Sequence, residues 1–284
     1  MDVSKEIIVL CETLNLTEKE LGSELGVTYE SVNNWKHNRK TIDETNIERL
    51  YSYAYTQDIK FNLIYEQLLV EEHQDKDVIV LFHGAKKVLS LPLNIIANSK
   101  TRNDFGLGFY LGTSFEQAAN YISFLNVNKV YAFKLNLKNL KIVKFEVNTD
   151  WMLAIAYYRG WIEEYKDSPK VLNIIKEVEA ADVIIAPIAD NRMFDIINEF
   201  VENTITDEQC KHALAATNLG YQYVLKSNKA LNQIDLLQEM FVCKEEKKHC
   251  TDARISLTNN GLQKVKVARI EYKNKGKYIE ELLK

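Results

Sequence analysis

Apolar positions along the chain follow two different periods. In the first part of the chain they recur at helical spacing, as over 5–14, which predicts a run of short helices. Further on, short apolar runs typical of buried strands appear at 78–82, 129–137, 140–145 and 181–190. A charged, glycine-poor segment, 70–77, separates the two regions. We therefore predict an α+β chain, with an all-α bundle over 1–72 and a β-sheet domain with helices over 77–240.

Helical patterns lie between the predicted strands, and a lysine-rich segment follows them at the end of the chain. Helices are predicted over 115–122, 151–161 and 206–216, the last with Thr206 as N-cap and followed by a strand that carries Gln222. The remaining residues, 241–284, form a lysine-rich C-terminal extension. There Val265 and Val267 alternate with lysines, which predicts a strand whose lysine face is either solvated surface or a patch for an anionic partner.

The N-terminal region contains the signals of a helix, a turn and a second helix. Thr17 and Glu20 have the spacing of a capping box, and Gly26 interrupts the pattern before a helix over 28–37. The run 16–35 resembles the lambda-repressor-like (Xre) helix-turn-helix family. By that resemblance 28–37 is the recognition helix, with Val32 and Trp35 in the core. The residues expected near bases are Thr28, Tyr29, Glu30, Asn33 and Asn34, and those expected near phosphates are Lys36, His37, Arg39 and Lys40.

Charge limits how strongly such a module can bind DNA. Residues 1–77 contain 8 basic and 16 acidic side chains, a net charge of −8, whereas the rest of the chain carries +4. Because non-specific affinity for DNA comes mainly from neutralised phosphates, we expect weak or dimer-dependent binding. The alternative is that the module mediates protein contacts or autoinhibition.

The stretch 105–121 and the strand before it carry the chemistry. Gly106 and Gly108 precede a short apolar run, which suggests a strand entered through a tight turn where another group, such as a ligand, approaches the backbone. Either Thr113 or Ser114 is the N-cap of the helix that follows, and Tyr121 lies two turns into it. The strand over 78–82 ends in His83-Gly84.

This order of motifs resembles the ADP-ribosyltransferase superfamily, in the branch that includes diphtheria toxin and the poly(ADP-ribose) polymerases, over about residues 77–235. The resemblance implies a split β-sheet that binds NAD as a substrate. It implies that His83 bonds the adenosine ribose, that the Gly84 backbone holds the nicotinamide amide, and that Tyr110 and Tyr121 stack on the nicotinamide ring. Thr113 joins the NAD-binding set, and His83, Tyr110 and Gln222 form the catalytic set.

Gln222 departs from the family, which has an acidic residue at the start of this strand. An amide oxygen accepts a hydrogen bond but carries no full charge, so we expect slow chemistry, with Asp190 or Glu208 as weak candidates for an assisting acid. Transferases of the families it resembles that have a non-acidic residue here make single additions, so the resemblance implies mono-ADP-ribosylation. We also expect Gln222→Glu to retain or raise hydrolysis of NAD. The predicted function is that of a bacterial toxin or defence effector. The alternatives are an NAD-sensing regulator without catalysis and an NAD glycohydrolase.

Composition adds limits on compartment and partners. No apolar stretch is long enough to span a bilayer, and the acidic N-terminus is unlike a signal peptide, so we expect a cytoplasmic protein with no membrane partner. The four cysteines form neither a disulfide framework nor a zinc motif, and we expect no metal. Besides NAD, the expected partners are a macromolecular acceptor, DNA at the helix-turn-helix, and a second copy or a neutralising protein.

Overall fold

The computed structural model describes residues 1–95, 99, 102–216 and 219–284, the side chains of 257–261 excepted. The chain begins with helices and continues with the strands of a sheet, which further helices connect and follow. The N-terminal helices are α1 (Ser4–Thr13), α2 (Glu18–Leu25), α3 (Tyr29–Lys36), α4 (Glu44–Thr56) and α5 (Phe61–His73). The strands are β1 (Val78–Gly84), β2 (Phe109–Gly112), β3 (Lys129–Asn136), β4 (Ile142–Lys144), β5 (Val183–Pro187), β6 (Tyr221–Leu225) and β7 (Ile234–Phe241). The later helices are α6 (Phe115–Ile122), α7 (Thr149–Tyr158), α8 (Pro169–Glu179), α9 (Asn191–Val201), α10 (Asp207–Ala215), α11 (Asn228–Leu231), α12 (Lys244–Glu271) and α13 (Ile279–Leu283).

The strands form one mixed sheet in the order β4-β5-β6-β2-β1-β3-β7, antiparallel except for the pair β4 and β5. Strand β1 pairs with β3 along its whole length, from Val78 to Gly84. On its other side, β1 meets β2 at a single residue pair, Phe82 with Gly112. The sheet therefore separates into two halves at this point. The α+β class predicted from the sequence is confirmed.

Helices cover one face of each half of the sheet. Helix α6 turns Phe115, Ala119 and Ile122 toward Phe82 of β1, in a core that also includes β3 and the end of β7. Helices α7, α9 and α10 bury a larger core against β5 and β6, centred on Trp151. Burying each large apolar side chain contributes roughly 1.5–3 kcal/mol. A further buried cluster joins the two halves, because it contains Leu81 of β1, Phe109 of β2 and Leu225 of β6. We call the junction of the two halves, at Phe82 and Gly112, the split.

The long helix α12 corrects the strand predicted at 264–267. Val265 and Ala268, three positions apart, are both buried, whereas Val267 is 60% exposed. This is the spacing of a helix that packs along one face, and α12 indeed packs against α4, α6 and α10. The alternation of two valines with lysines was too short a pattern to distinguish the two periods.

The N-terminal helices dock onto the end of β7. Phe241 and Cys243 belong to the same buried cluster as the cores of α1 to α4. Asn62 on α5 donates through Nδ2 to the Phe241 carbonyl (2.7 Å) and to Glu246 Oε2 (2.6 Å). Burial raises the pKa of Glu246 to about 7, against the opposing effect of the Asn62 hydrogen bond. A titratable carboxyl therefore lies in the contact between the helical region and the sheet.

Several local predictions are confirmed. Thr17 and Glu20 form the capping box of α2, and Gly26 ends that helix in the left-handed conformation. Val32 and Trp35 are buried. These features depend on residues a few positions apart, which is why the sequence predicts them well.

Candidate active site

The ends of β1 and β2 bring His83 next to Tyr110 at the split. His83 Nδ1 lies 2.7 Å from the Tyr110 carbonyl oxygen. Because a carbonyl only accepts, Nδ1 carries the proton, and Nε2 of the neutral ring is an acceptor. Burial lowers the pKa of His83, although the bond to Tyr110 partly opposes this. The histidine is therefore neutral at pH 7 and offers an acceptor to a hydroxyl group.

Tyr110 is held by the loop that precedes its own strand. Its phenol oxygen accepts from the Phe105 backbone N–H (3.1 Å) and donates to the Gly106 carbonyl (2.8 Å). Burial, and then the negative charge of Asp104, raise the pKa of Tyr110 well above its ordinary value. The hydroxyl is thus neutral and committed to the loop, and the ring forms a fixed wall at the split.

The protein's own atoms fill the space beside two of the glycines, where the sequence suggested a ligand. A Cβ on Gly84 would lie 2.4 Å from the Ala118 carbonyl oxygen of α6. Gly106 has a φ of +69°, and a Cβ there would meet the Tyr158 ring at 2.8 Å. The absence of side chains at both positions is explained by close packing and backbone conformation.

Helix α6 begins at the split. Ser114 is its N-cap and accepts from the Gln117 backbone N–H (3.2 Å). Thr113 instead donates from its backbone N–H to Gln117 Oε1 (2.6 Å), and the Gln117 amide donates to the Leu219 carbonyl (2.9 Å). Gln117, which the sequence did not single out, therefore ties α6 to the segment that leads into β6. Glu66 of α5 accepts from the Phe115 N–H (3.0 Å), which connects the same helix end to the N-terminal region.

Tyr121 presents an open aromatic face. Its side chain is 54% exposed, on the same side of α6 as Gln117, one turn earlier. The Lys86 ammonium lies 5.7 Å from the centroid of the Tyr121 ring. A cation therefore already lies near this ring, and a positively charged heterocycle that stacks on the same face must displace it.

Gln222 lies on β6 opposite Gly112, and its side chain is on the same face of the sheet as that of Tyr110. It is 8% exposed. Its Nε2 donates to Asp104 Oδ2 (3.1 Å) and to the Pro187 carbonyl (3.2 Å). Since both partners only accept, the amide nitrogen must face them. The Gln222 carbonyl oxygen is therefore directed away from these two groups.

Asp104 is the acidic residue at this place, and the sequence reasoning missed it. Asp104 is buried, with 7% of its surface exposed. Its Oδ1 accepts a hydrogen bond from Arg159 Nη2 (2.6 Å). The Arg159 guanidinium also lies 3.6 Å from the centroid of Phe194. Arg159 therefore forms an ion pair with this carboxylate and also contacts an aromatic ring. The only local sign of Asp104 was its position just before the glycine-containing stretch.

The other two candidate acids have different partners. Asp190 accepts from the Met193 N–H (2.9 Å) as the N-cap of α9. Glu208 pairs with Lys211 (2.6 Å) and His212 (3.3 Å) on its own helix. Asp104 is therefore the better candidate for an acid that acts with Gln222.

The predicted DNA-contacting residues lie in the helical region, and several are engaged within it. Lys36 Nζ and Asn33 Nδ2 both reach the Glu18 carboxylate, at 2.8 and 2.9 Å. Arg39 donates to Asn33 Oδ1 (3.1 Å). The hydrogen bond to Glu18 raises the pKa of Lys36. Thr28 caps α3, Asn34 is half-buried and Lys40 is exposed. An acidic side chain thus competes with phosphate for this face.

A cavity of about 630 Å³ lies outside the split, between the N-terminal helices and the edge of the sheet. Its lining includes Lys5, Glu6, Tyr65, Lys129 and Met240.

Among the described residues, no group of three or more His, Cys, Asp or Glu side chains is placed to hold a metal ion. In the same part of the chain, no helix combines the length and apolar character needed to cross a bilayer.

Comparison with known proteins gives one match. A family model described as "Protein of unknown function (DUF3990)" matches residues 79–236. The matched segment runs from β1 into β7 and so contains both halves of the sheet and the split. No curated protein and no solved structure matches the chain.

Proposed function

We propose that this chain, which belongs to the DUF3990 family, binds NAD at the split between β1 and β2 and transfers single ADP-ribose units to an acceptor. The observation that carries the proposal is the single residue pair, Phe82 with Gly112, between the two halves of the sheet. His83 and Gly84 flank this pair on one strand and Tyr110 on the other, with Gln222 opposite Gly112. All four residues therefore lie within two positions of the pair, with the side chains of Tyr110 and Gln222 on one face of the sheet and that of His83 on the other.

The chemistry of the side chains fits NAD. His83 Nε2 is an acceptor suited to one ribose hydroxyl, and the Gln222 carbonyl oxygen is an acceptor suited to another. The Tyr121 ring, which is 54% exposed, is accessible for stacking on the nicotinamide ring, which would displace the Lys86 ammonium. Tyr110 supplies a second, rigid aromatic wall. Good aromatic stacking contributes about 0.5–1.5 kcal/mol per pair.

The proposed reaction breaks the bond between the ribose C1′ carbon and the nicotinamide nitrogen. Nicotinamide leaves as a neutral molecule with the electron pair of that bond, and the acceptor forms a new bond to C1′ and releases a proton. Positive charge builds on the ribose in the transition state, so negative charge nearby accelerates the step. Gln222 offers a neutral oxygen, and the nearest carboxylate, Asp104, is paired with Arg159. Slow turnover is therefore part of the proposal, and single additions follow from the family resemblance.

The same shortage of negative charge favours the second candidate, an NAD sensor without catalysis. In that case the helical region would report NAD occupancy, and the bond from Glu66 to the start of α6 gives it a physical connection to the split. An NAD glycohydrolase, with water as the acceptor, is the third candidate. In all three, we propose a cytoplasmic bacterial or phage protein whose helix-turn-helix region regulates it through DNA, a second copy or a neutralising protein.

Two measurements on the purified full chain test the proposal. Calorimetry should detect NAD binding that requires His83, and chromatography should detect nicotinamide release. Nicotinamide release with label transfer to a macromolecule supports the transferase, release without transfer supports the glycohydrolase, and binding without release supports the sensor. A wild-type protein that does not bind NAD would overturn all three.

A further inference from the structure

We propose that Asp104 is a positioning residue for the reaction, which holds the Gln222 side chain so that its carbonyl oxygen, and not its amide nitrogen, faces the substrate. This inference rests on the proposed function and adds a residue to it. Asp104 acts through Gln222 and does not itself touch NAD. The pair spans 118 positions of the chain and joins the loop before β2 to β6.

The argument begins with the polarity of the hydrogen bonds. A glutamine amide can be turned either way unless its partners distinguish nitrogen from oxygen. The Asp104 carboxylate (3.1 Å) and the Pro187 carbonyl (3.2 Å) are both acceptors, so both amide hydrogens of Gln222 are used on the same side. The oxygen is then the atom left for a ribose hydroxyl.

Because Arg159 fixes one oxygen of Asp104, replacing the other oxygen with an amide nitrogen changes the hydrogen bond to Gln222. Arg159 holds Oδ1 at 2.6 Å, and a guanidinium only donates. In Asp104→Asn the new amide must therefore give its oxygen to Arg159 and turn its nitrogen toward Gln222. Two amide nitrogens cannot donate to each other, so the Gln222 nitrogen keeps only the Pro187 carbonyl as its acceptor. The turned orientation exchanges that bond for one to the new amide, so Gln222 is no longer held with its oxygen toward the substrate.

The geometry also changes what Gln222→Glu is expected to do. The introduced carboxyl would lie about 3 Å from the Asp104 carboxylate, and two carboxylates at that distance do not both ionise. It therefore keeps its proton, donates it to Asp104, and presents a neutral oxygen much as the amide does. The added negative charge expected from the sequence is absent until the proton is lost. In the combined variant, Asp104→Asn with Gln222→Glu, the carboxylate accepts from the asparagine amide and needs no proton.

Three variants test these statements, with Asp182→Asn as the matched control. Asp182 also accepts hydrogen bonds, from the Lys141 N–H (2.8 Å) and the Ser227 hydroxyl (2.6 Å), at the start of β5. Asp104→Asn should lower kcat for nicotinamide release on the order of tenfold to a hundredfold, with a smaller change in KM, whereas Asp182→Asn leaves both unchanged. The combined variant should recover kcat to at least the wild-type value.

The pH profile separates positioning from a merely structural role. Gln222→Glu should gain activity as pH rises through the raised pKa of the introduced carboxyl, because its negative charge then appears beside the ribose, whereas the wild type and the combined variant should show no such rise. Thermal unfolding reports on the protonation of the introduced carboxyl in the absence of NAD. A group whose pKa is raised in the folded state stabilises at low pH, so the melting temperature of Gln222→Glu should fall relative to wild type between about pH 5 and 8.

The outcomes distinguish this inference from the proposed function. Wild-type protein that fails to bind NAD overturns the proposed function, and the inference with it. Wild-type protein that binds NAD, together with an Asp104→Asn variant whose NAD affinity and kcat match those of Asp182→Asn, overturns the inference alone. A Gln222→Glu variant whose melting temperature follows the wild-type pH dependence also overturns it.

Discussion

Substitution of His83 gives a quantitative test because its two ring nitrogens have separate roles. Nδ1 bonds the Tyr110 carbonyl at 2.7 Å, and the ring packs on Phe109 with centroids 4.5 Å apart. A net hydrogen bond contributes about 1 kcal/mol and an aromatic contact about 0.5–1.5 kcal/mol. His83→Ala should therefore lower the free energy of unfolding by about 2 kcal/mol, measured by urea denaturation.

Two amide variants separate the stability effect from the binding effect. In His83→Asn the amide nitrogen can occupy the Nδ1 position and keep the bond to Tyr110, while the acceptor at Nε2 is lost. His83→Gln reaches the Nε2 position and keeps an acceptor there. One neutral hydrogen bond corresponds to roughly 0.5–1.5 kcal/mol, so His83→Asn should raise the Kd for NAD about three- to tenfold while remaining well folded.

The pH dependence gives an independent check on the same residue. The pKa of His83 is lowered by burial, so the ring is neutral above the ordinary histidine pKa of about 6.5. Its contribution to stability is present above that value and is lost as pH falls through the lowered pKa. NAD affinity should be constant between about pH 7 and 8 and weaken in acid, where Nε2 gains a proton. Wild-type affinity in His83→Asn, or weaker binding by His83→Gln than by His83→Asn, would refute the assignment of the two nitrogens.

Three further substitutions test other parts of the structure. Gly84→Ala forces a Cβ to within 2.4 Å of a backbone oxygen of α6, so it should cost about 1–3 kcal/mol in denaturation and weaken NAD binding; unchanged values would contradict this packing. Glu18→Gln releases the lysine and asparagine of α3, so DNA affinity at low salt should increase and its salt dependence should steepen; no change would argue for a protein-binding role. Glu246→Gln should stabilise the chain by up to roughly 3 kcal/mol at pH 8 and have no such effect at pH 5. The reason is that the pKa of Glu246 is raised to about 7, so the contribution of this carboxyl to stability declines as pH rises. Equal effects at both pH values would contradict this prediction.

Features that depend on neighbouring residues were predictable from the sequence. The strand that ends at His83 and helix α6 both follow local apolar patterns, and the capping residues of α2 and α10 follow from side chains three positions apart. The pattern left a choice between Thr113 and Ser114 as the N-cap of α6, and Ser114 is the N-cap. The start of the helix was therefore predicted to within one residue.

Contacts between distant segments were not predictable in the same way. The pairing of Asp104 with Gln222 depends on the register of β6 against β2 and on a loop conformation, neither of which a pattern encodes. The bond between Glu18 and Lys36 similarly depends on how α2 crosses α3. The helix around Val265 was missed because only its packing partners show which of its valines is buried.

The most direct test of the central claim is to incubate the full chain with cell lysate and NAD that is labelled on its adenylate phosphate. We predict that label becomes attached to a macromolecule, one ADP-ribose at a time, while nicotinamide is released in equal amount. The His83→Asn protein, which keeps its fold, should label the lysate more weakly. Wild-type protein that binds no NAD and releases no nicotinamide, at any pH between about 6 and 8, would contradict the account.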